Sequence, residues 1–303
     1  MSERMLKQLV GALAITVALW AIVSFLSGGG GSISASGEIT DLFEGLGESS
    51  IDAVRIEGRN GQMDLRRDDD DWTVNGFPAD SGSISRFLAV LPDLVAGDLV
   101  ATNPANHDRM GVSADSAVSV DFGVGGDFQS ILVGKQGRGF GTTYVRLPGE
   151  DEVYLLEGDL RAQVVRRLDD WRDRSVVNID STTVHRIAIE RDGDAYTMVR
   201  GDSVWTFEEG GPVRATAVTG ILSELSNLMA SGFLTEGDSV AALDQGGRTV
   251  AYSGSGEVLA DVTIGSGSAE RWARTPTDDY VYRISSFRVG RVAPTREDAE
   301  PGS

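Results

Sequence analysis

The stretch VRIEGRNGQMDLRRDDDDWTV at residues 54–74 recurs, with substitutions, as IAIERDGDAYTMVRGDSVWTF at residues 187–207. Apolar and polar residues alternate in both copies, and this alternation is the period of half-buried strands. A turn dipeptide, Asn60-Gly61 or Asp192-Gly193, separates the two alternating runs of each copy, and such dipeptides are favoured in tight hairpins. Each copy therefore predicts a β-hairpin that is followed by a short strand carrying a tryptophan.

An amphipathic helix is predicted next in each copy, after Pro78 and after Pro212. Apolar residues spaced three and four apart form one face of each predicted helix, namely Ile84, Phe87, Leu88, Leu91 and Leu94 in the first copy and Val218, Ile221, Leu222, Leu225 and Leu228 in the second. Further extended runs complete both copies. The predicted fold class is α+β, with two tandem homologous strand-rich repeats at residues 51–180 and 181–291. Each repeat has a β-hairpin, a central amphipathic helix and further antiparallel strands, and one transmembrane helix precedes the first.

That transmembrane helix is predicted at residues 8–26, where Leu9–Leu26 carries no charge. As a helix this run would span about 27 Å, close to the roughly 30 Å of a bilayer core. Arg4 and Lys7 precede it, so the positive-inside rule makes residues 1–7 a cytoplasmic stub and places the repeats outside the cytoplasm, periplasmic or at the cell surface. A cleaved signal peptide and a buried core helix are the alternatives.

The segments that flank the repeats are predicted to be flexible. Residues 27–50 open with SGGGGS, a composition typical of flexible coil, and form the predicted tether. A weak amphipathic pattern indicates a short helix within this tether, at Ile39, Leu42, Phe43 and Leu46. Residues 292–303 are polar with two prolines and are predicted to be a disordered tail.

The composition limits the classes of function. Lys+Arg 27 against Asp+Glu 46 gives a formal net charge of −19, and a field of that sign repels the phosphates of nucleic acid. The chain has no cysteine, which removes disulfides, thiolate nucleophiles and cysteine-ligated metals. With only two histidines, little material remains for imidazole catalysis.

Two polar stretches invite a chemical interpretation. Gly134–Gly141, with Lys135 and Arg138, has the composition of a phosphate-binding turn. However, its lysine precedes the glycines and a strand is predicted after it, whereas a phosphate-binding loop has the lysine after the glycines and opens a helix. A hairpin connection is therefore the better interpretation. Asp68–Asp71 could bind a hard cation, yet it lacks the glycine and glutamate of a calcium loop. We interpret it as a solvated turn between strands.

Other single residues are also better explained by structure than by catalysis. His107 could pair with Asp108 as a base, and His185 stands at the start of a strand, but no nucleophile signature accompanies them. We therefore predict no catalytic residue, no cofactor-binding residue, no metal ligand and no cofactor, in a protein that is not an enzyme.

Two pairs of residues occupy equivalent positions in the two copies. Trp72 and Trp205 are expected to pack in the core under the helix. Arg146 and Arg274 are candidates for inter-strand ion pairs, which contribute about 0–1 kcal/mol when exposed.

The order of motifs resembles the domain-of-unknown-function family numbered 4340, over approximately residues 50–290. The motifs that carry the resemblance are the hairpin, W-T-V, Pro78-Ala79-Asp80, the amphipathic helix, I-L-V-G, Y-V-R, V-Y-L and a closing W-R-D-R. Members look like membrane-tethered extracytoplasmic tandem repeats, often encoded beside ABC-type export components similar to those of the gliding-motility transporter. The resemblance implies an accessory role in a cell-envelope complex and no established activity.

We therefore expect a non-enzymatic, membrane-anchored extracytoplasmic accessory or scaffold protein that is associated with an ABC-type export or envelope complex. Its expected partners are the membrane, through the N-terminal helix, and an ABC transporter permease or other envelope proteins, but no nucleic acid. One alternative is a module that binds an envelope ligand, glycan or peptide, in the cleft between the repeats. Another is a hydrolase with an unrecognised site.

Overall fold

The computed structural model of the chain forms two compact units, residues 1–168 (unit 1) and residues 169–303 (unit 2). Within them the structure describes residues 35–43, 46–202, 204–234, 246–265 and 270–301. Each unit has one large antiparallel sheet and helices that pack on it.

Unit 1 is built on a nine-stranded antiparallel sheet. Its strands are β1 Ala53–Gly58, β2 Gly61–Asp68, β3 Asp71–Val74, β4 Phe77–Pro78, β5 Val95–Ala101, β6 Val118–Val124, β7 Asp127–Gln136, β8 Thr142–Arg146 and β9 Val153–Glu157. They lie in the order β4-β3-β2-β1-β6-β7-β8-β9-β5. Strands β6 to β9 follow the chain order, whereas β5 crosses to the far edge and pairs with β9.

The helices of unit 1 are α1 Ala35–Phe43, α2 Ser81–Val90, α3 His107–Met110 and α4 Leu160–Val164, with 3-10 turns at Leu91–Asp93 and Pro104–Asn106. Helix α2 begins where the carboxylate of Asp80 accepts a hydrogen bond from the amide of Ser83 at 2.7 Å, a typical N-cap. Its predicted apolar face is buried, and Phe87 stacks on Phe122 of β6 with ring centroids 6.4 Å apart.

Unit 2 contains an eight-stranded antiparallel sheet and a separate two-stranded one. Its strands are β10 Ser175–Val177, β11 Val184–Arg191, β12 Asp194–Arg200, β13 Trp205–Phe207, β14 Leu228–Met229, β15 Gly232–Phe233, β16 Gly247–Ser253, β17 Val258–Ile264, β18 Glu270–Arg274 and β19 Tyr282–Ser285. The large sheet has the order β13-β12-β11-β16-β17-β18-β19-β15, and β10 pairs with β14. This is the strand order of unit 1 without an equivalent of β4.

The helices of unit 2 are α5 Ala215–Leu225, α6 Ser286–Val292 and α7 Arg296–Ala299, with 3-10 turns at Leu168–Asp170, at the boundary of the units, and at Ser181–Thr183. The apolar face of α5 is buried at Val218, Ile221 and Leu225. Both predicted amphipathic helices thus pack on a sheet through the face that their spacing defines.

The predicted hairpins are confirmed. Strand β1 pairs with β2 as far as Gly58 opposite Gly61, and Gly61 has a φ of 97°. In unit 2 the connecting residues Asp192 and Gly193 both have positive φ, 53° and 89°, as a type I′ turn requires.

The predicted fold class includes a transmembrane helix, and this part of the prediction is wrong for the described fold. No helix among the described residues has the length and apolar character needed to cross a bilayer. The longest, α5, has 11 residues, or about 17 Å at 1.5 Å per residue. Residues 8–26, where the helix was predicted, lie outside the described residues, as do residues 1–7. The described fold consists of two strand-rich units with sheets of nine and eight strands.

The structure also differs from the predicted tether. Residues 27–34 lie outside the described residues, but α1 follows, as the weak amphipathic pattern indicates. Ile39, Leu42 and Phe43 are buried, and Phe43 meets Phe122 edge-on at 6.0 Å. The burial of these apolar side chains attaches the segment to the core of unit 1.

The predicted disordered tail contains an ordered helix, so this prediction is wrong for its described part. The hydroxyl of Thr295 caps α7 by accepting a hydrogen bond from the amide of Asp298 at 3.2 Å. Ala299 is fully buried, and its carbonyl accepts a hydrogen bond from the amide of Arg214 at 2.8 Å. The small apolar residues Val292 and Ala293 are also buried, and these few positions fix a segment whose average composition is polar.

Candidate functional site

A cleft of about 210 Å³ lies at one end of the unit 1 sheet, beside the β1–β2 turn, the end of β7 and α4. We term it the cationic cleft, and its defining residues are the cations Arg59, Lys135 and Arg161 and the apolar residues Ile56, Met63, Val118, Val164 and Val165. Ile56, Met63 and Val164 are buried, whereas Arg59 and Lys135 are exposed. The cleft therefore has an apolar floor and a positively charged rim.

The alternation of β1 and β2 builds the floor. Ile56 and Met63 lie directly opposite each other in the hairpin and face the core side. Gly58 follows on the same face, and a Cβ there would lie 3.1 Å from a methyl group of Val118. Glycine at position 58 therefore allows Val118 to pack closely against the end of the hairpin, beside the cleft.

Two of the cations are held by neutral carbonyls. The ammonium of Lys135 donates hydrogen bonds to the carbonyls of Arg109 at 3.0 Å and Asp108 at 3.4 Å, in the last turn of α3. The guanidinium of Arg161 donates to the carbonyl of Gly134, and burial lowers the pKa of Arg161. These hydrogen bonds orient the cations, but they do not neutralise their charge.

The third cation, Arg59, is exposed in the β1–β2 turn. It makes no hydrogen bond or ion pair within the described part of the chain. The neighbouring Asn60 fixes the turn, because its side-chain amide donates to the carbonyl of Arg166 at 3.2 Å. Asp108 is the acidic residue among the described lining residues. The cleft is thus locally positive in a chain whose net charge is −19.

A larger groove, of about 1040 Å³, lies on unit 2 along the outer side of its sheet. Arg248 and Asp261 form a bidentate ion pair there, with distances of 2.9 and 2.6 Å. The hydrogen bond to Asp261 raises the pKa of Arg248. Asp278 at the groove accepts a hydrogen bond from the hydroxyl of Tyr282 at 2.8 Å. Arg248 of this groove is thus paired with an opposite charge, whereas Lys135 and Arg161 of the cationic cleft bond neutral carbonyls.

The glycine-rich stretch forms the β7–β8 connection, as the hairpin interpretation predicts. The hydroxyl of Thr142 donates to the carbonyl of Gly139 at 2.8 Å and accepts from its amide at 3.1 Å. Phe140 is fully exposed at the tip. Lys135 is the member of this stretch that reaches the candidate site, together with Gly134.

The aspartate run lies at the β2–β3 turn, with Asp69 at a φ of 53°. Asp68 ends β2 and Asp71 begins β3, as the turn interpretation predicts. In the parts of the chain that the structure describes, no three His, Cys, Asp or Glu side chains are grouped so as to hold a metal ion.

Each histidine contacts a backbone carbonyl. Nε2 of His107 donates to the carbonyl of Asp151 at 3.0 Å, and the side chain is buried. Nδ1 of His185 donates to the carbonyl of Thr183 at 3.0 Å in an exposed position. These contacts position loops and a strand end.

The equivalent arginines and tryptophans differ between the units. Arg146 donates hydrogen bonds to the carbonyls of Val112 at 3.0 Å and Glu150 at 2.7 Å. These described hydrogen bonds differ from the inter-strand ion pair that was predicted for Arg146. Arg274 lines the groove of unit 2. Trp205 packs against its core, as predicted. Trp72 is half-buried with the guanidinium of Arg67 5.3 Å from its ring.

The sequence did not predict that the three cations of the cleft lie close together. Arg59, Lys135 and Arg161 come from a turn, a strand end and a helix that are far apart in the chain. One signal was present, because Gly58 stands where the second copy has the larger Arg191, which indicates that the two hairpins end differently.

Comparison with known protein families matches residues 72–246 to a family described as Domain of unknown function (DUF4340). The matched region covers more than half of the chain and includes parts of both units. Comparisons with curated proteins and with solved structures give no match. The matched family is the one that the motif order resembles, and the chain belongs to DUF4340.

Proposed function

We propose that this protein is a non-enzymatic accessory or scaffold protein of the cell envelope that associates with an ABC-type export complex. Membership of DUF4340 supports the proposal, because the resemblance to this family implies a neighbourhood of ABC-type export components. The observation that carries the proposal is strand β5, which ends the nine-stranded sheet of unit 1.

Strand β5 has the features of a docking edge. It pairs on one side with β9, in a register that shifts at two points, and helix α1 packs against it. Val95, Leu99 and Val100 are 52%, 50% and 38% exposed. The helix and the irregular register are features that protect a sheet edge, so it is the exposed apolar side chains of β5 that mark a surface for a partner.

A partner segment would contact β5 through these exposed apolar side chains. Removal of these side chains from water would contribute to affinity. The acidic chain disfavours a second copy of itself on this edge, because two molecules of charge −19 repel each other. The proposed partner on β5 is therefore a different protein, with a permease of the exporter as the first candidate.

Co-purification of the full chain from its native membranes tests this proposal. We expect a transporter subunit to be recovered with the wild type and largely lost with Leu99→Lys, which places a charge on the edge. Val258→Lys is the matched control, since Val258 is 53% exposed but β17 lies between two strands. Recovery of the protein alone at native abundance, or equal recovery with both variants, would contradict the proposal.

The proposal includes a location outside the cytoplasmic membrane, with the folded units held at its outer side. The resemblance to DUF4340, whose members look like extracytoplasmic proteins of the cell envelope, supports this location. Fractionation and protease treatment of intact cells test it. We expect the chain in the membrane fraction and units 1 and 2 accessible to the protease, whereas protection of both units would refute the location.

A second candidate function is the binding of an envelope glycan. The groove of unit 2 favours it, since Asp279, Arg274 and Thr275 line it beside the aromatic ring of Tyr280. Hydrogen-bonding side chains beside a ring offer both polar and apolar contacts to a sugar. Retention of the full chain on isolated cell wall, lost on Asp279→Ala and kept with Glu297→Ala, would favour this function over the scaffold.

A further inference from the structure

We propose that the cationic cleft of unit 1 binds the C-terminal carboxylate of a partner polypeptide whose last residue is apolar. This inference rests on the proposed scaffold function, for which it names the chemistry of one partner. It concerns a different surface from the edge of β5, so that the two are tested separately.

The positive charges of the cleft favour an anionic ligand. Lys135 and Arg161 are oriented by neutral carbonyls, and Arg59 has no partner within the described residues. Against these three cations stands the single carboxylate of Asp108 among the described lining residues. Hydrogen bonds from a guanidinium or ammonium to a carboxylate are shorter and stronger than those to a carbonyl. An incoming carboxylate would therefore improve the hydrogen bonding of this rim.

The apolar floor favours a ligand that carries an apolar group close to its anionic group. Ile56, Met63 and Val164 are buried beneath the rim, and Val118 and Val165 extend the apolar wall. Packing an aliphatic side chain of the ligand against this floor removes apolar surface from water, which favours binding. A ligand with charge alone would leave the floor unused.

The size of the cleft selects among anionic amphiphiles. A volume of about 210 Å³ equals that of roughly seven water molecules at about 30 Å³ each. This is room for one side chain and its carboxylate, whereas a long acyl chain would extend beyond the floor into water.

A polypeptide C-terminus unites both features on one residue. Its α-carboxyl group has a pKa of about 3.3–3.7 and is ionised at neutral pH. An apolar last residue then places its side chain on the carbon next to the carboxylate, whereas the carboxylates of Asp and Glu occupy the side chain itself. Capture of chain termini by small basic or amide-lined sites is a recurrent mode of peptide recognition.

Calorimetric titration of the full chain with a short peptide ending in Leu tests the proposal. The free-carboxylate peptide is expected to bind, and the same peptide with an amidated C-terminus is expected to bind at least tenfold more weakly. Raising the salt concentration should weaken the binding of the free acid, because exposed charges are screened. Equal affinity of the two peptides, or no binding of either, would overturn the proposal.

Two arginine variants separate the cleft from general charge effects. Arg59→Gln should weaken the binding of the free-acid peptide about tenfold. Arg138→Gln should leave it unchanged, since Arg138 is an exposed arginine in another turn of unit 1 and does not line the cleft. Both variants should keep the wild-type unfolding midpoint. Equal weakening by both, or by neither, would contradict the assignment of the site.

Dodecanoate distinguishes a peptide terminus from a lipid source of the same carboxylate. Tighter binding of dodecanoate than of the peptide, lost in Arg59→Gln, would replace the proposed ligand by a fatty acid and refute the peptide. Failure of the peptide while a transporter subunit still co-purifies would overturn this inference alone. Loss of co-purification while the peptide still binds would instead overturn the exporter association.

Discussion

The same end of the large sheet is packed differently in the two units. In unit 1, Gly58 and Met63 line a cleft at the end of the hairpin. In unit 2 the equivalent residues are Arg191 and Tyr196, and the hydroxyl of Tyr196 donates to the carbonyl of Pro294 at 2.8 Å. The guanidinium of Arg191 donates to a carbonyl of the same C-terminal segment. Larger side chains and a following segment thus occupy the core side of the hairpin end in unit 2, while the groove of unit 2 lies on the outer side of the same hairpin.

The difference shows where a duplicated fold acquires distinct chemistry. Both units keep the strand order, the hairpin and the buried helix face, because these depend on apolar periodicity. The end of the hairpin is free to change, since a residue there affects the packing of one segment only. In unit 2 the hydroxyl of Thr249 also donates to the carbonyl of Val292 at 2.7 Å, so this packing is hydrogen-bonded as well as apolar. Function is therefore to be sought where the copies differ.

Truncation of the equivalent residues gives the largest expected contrast. Tyr196→Ala should destabilise unit 2 by about 4 kcal/mol, because it removes a buried ring and leaves the carbonyl of Pro294 without its donor. Met63→Ala should cost about 2 kcal/mol in unit 1, where a cleft already adjoins the side chain. Hydrogen exchange resolved by unit measures both, and equal losses would show that the two ends are packed alike.

A charge placed under α7 tests the closing segment itself. Ala299→Arg should destabilise unit 2 by about 3 kcal/mol, because Ala299 is fully buried and an arginine there is both too large and desolvated. Glu297→Arg, on the exposed side of the same helix, should stay within about 0.5 kcal/mol. Urea unfolding of the full chain provides the measurement, and a neutral Ala299→Arg would mean that the segment does not close the core.

Copying the side chain of unit 2 into unit 1 should close the cleft. Met63→Tyr is expected to weaken the binding of a free-acid peptide at least tenfold while changing stability by about 1 kcal/mol or less, because the cleft offers room for the ring. The peptide titration and an unfolding curve report the two effects. Unchanged affinity would show that the ligand does not reach the floor beside Met63.

Alkaline pH should affect the two ends differently. Burial raises the pKa of Tyr196 above its ordinary value near 10. A raised pKa means that this contribution to stability is fully present below pH 10 and is lost as pH rises from there toward the folded-state pKa. The loss is at most about 1.4 kcal/mol per pH unit for one group.

Tyr196→Phe identifies this contribution, since it removes the titrating hydroxyl and keeps the ring. Between pH 10 and pH 11 the variant should lose less stability than the wild type in unit 2, by about 1 kcal/mol. Tyr282, whose pKa burial also raises, still titrates and accounts for a remaining slope. Identical slopes for wild type and variant would show that Tyr196 already ionises near its ordinary pKa in the folded chain.

Local features of this fold were accessible from the sequence. The hairpin at Asn60-Gly61, the type I′ turn at Asp192-Gly193 and the buried faces of α2 and α5 all follow from periodicity and turn chemistry within about 20 residues. The family was recognisable from the order of these elements, and the comparison over residues 72–246 confirms it.

Non-local features were not accessible. The passage of β5 to the edge beside β9 depends on a pairing that no local pattern encodes. The cationic cleft joins three distant cations, and only the glycine at position 58 indicated that the two hairpins end differently. The prediction of a disordered tail is wrong because it depends on average composition, which is polar. The structure depends instead on the burial of a few small residues such as Ala299.

The position of β5 has a consequence for synthesis of the chain. This strand leaves the ribosome well before β9, which is its partner in the finished sheet. Until β9 emerges, the edge of β5 that pairs with it is bare, and its valines and leucine are open to any extended chain nearby. A chaperone that holds this stretch during translation would protect the nascent protein at its most aggregation-prone moment.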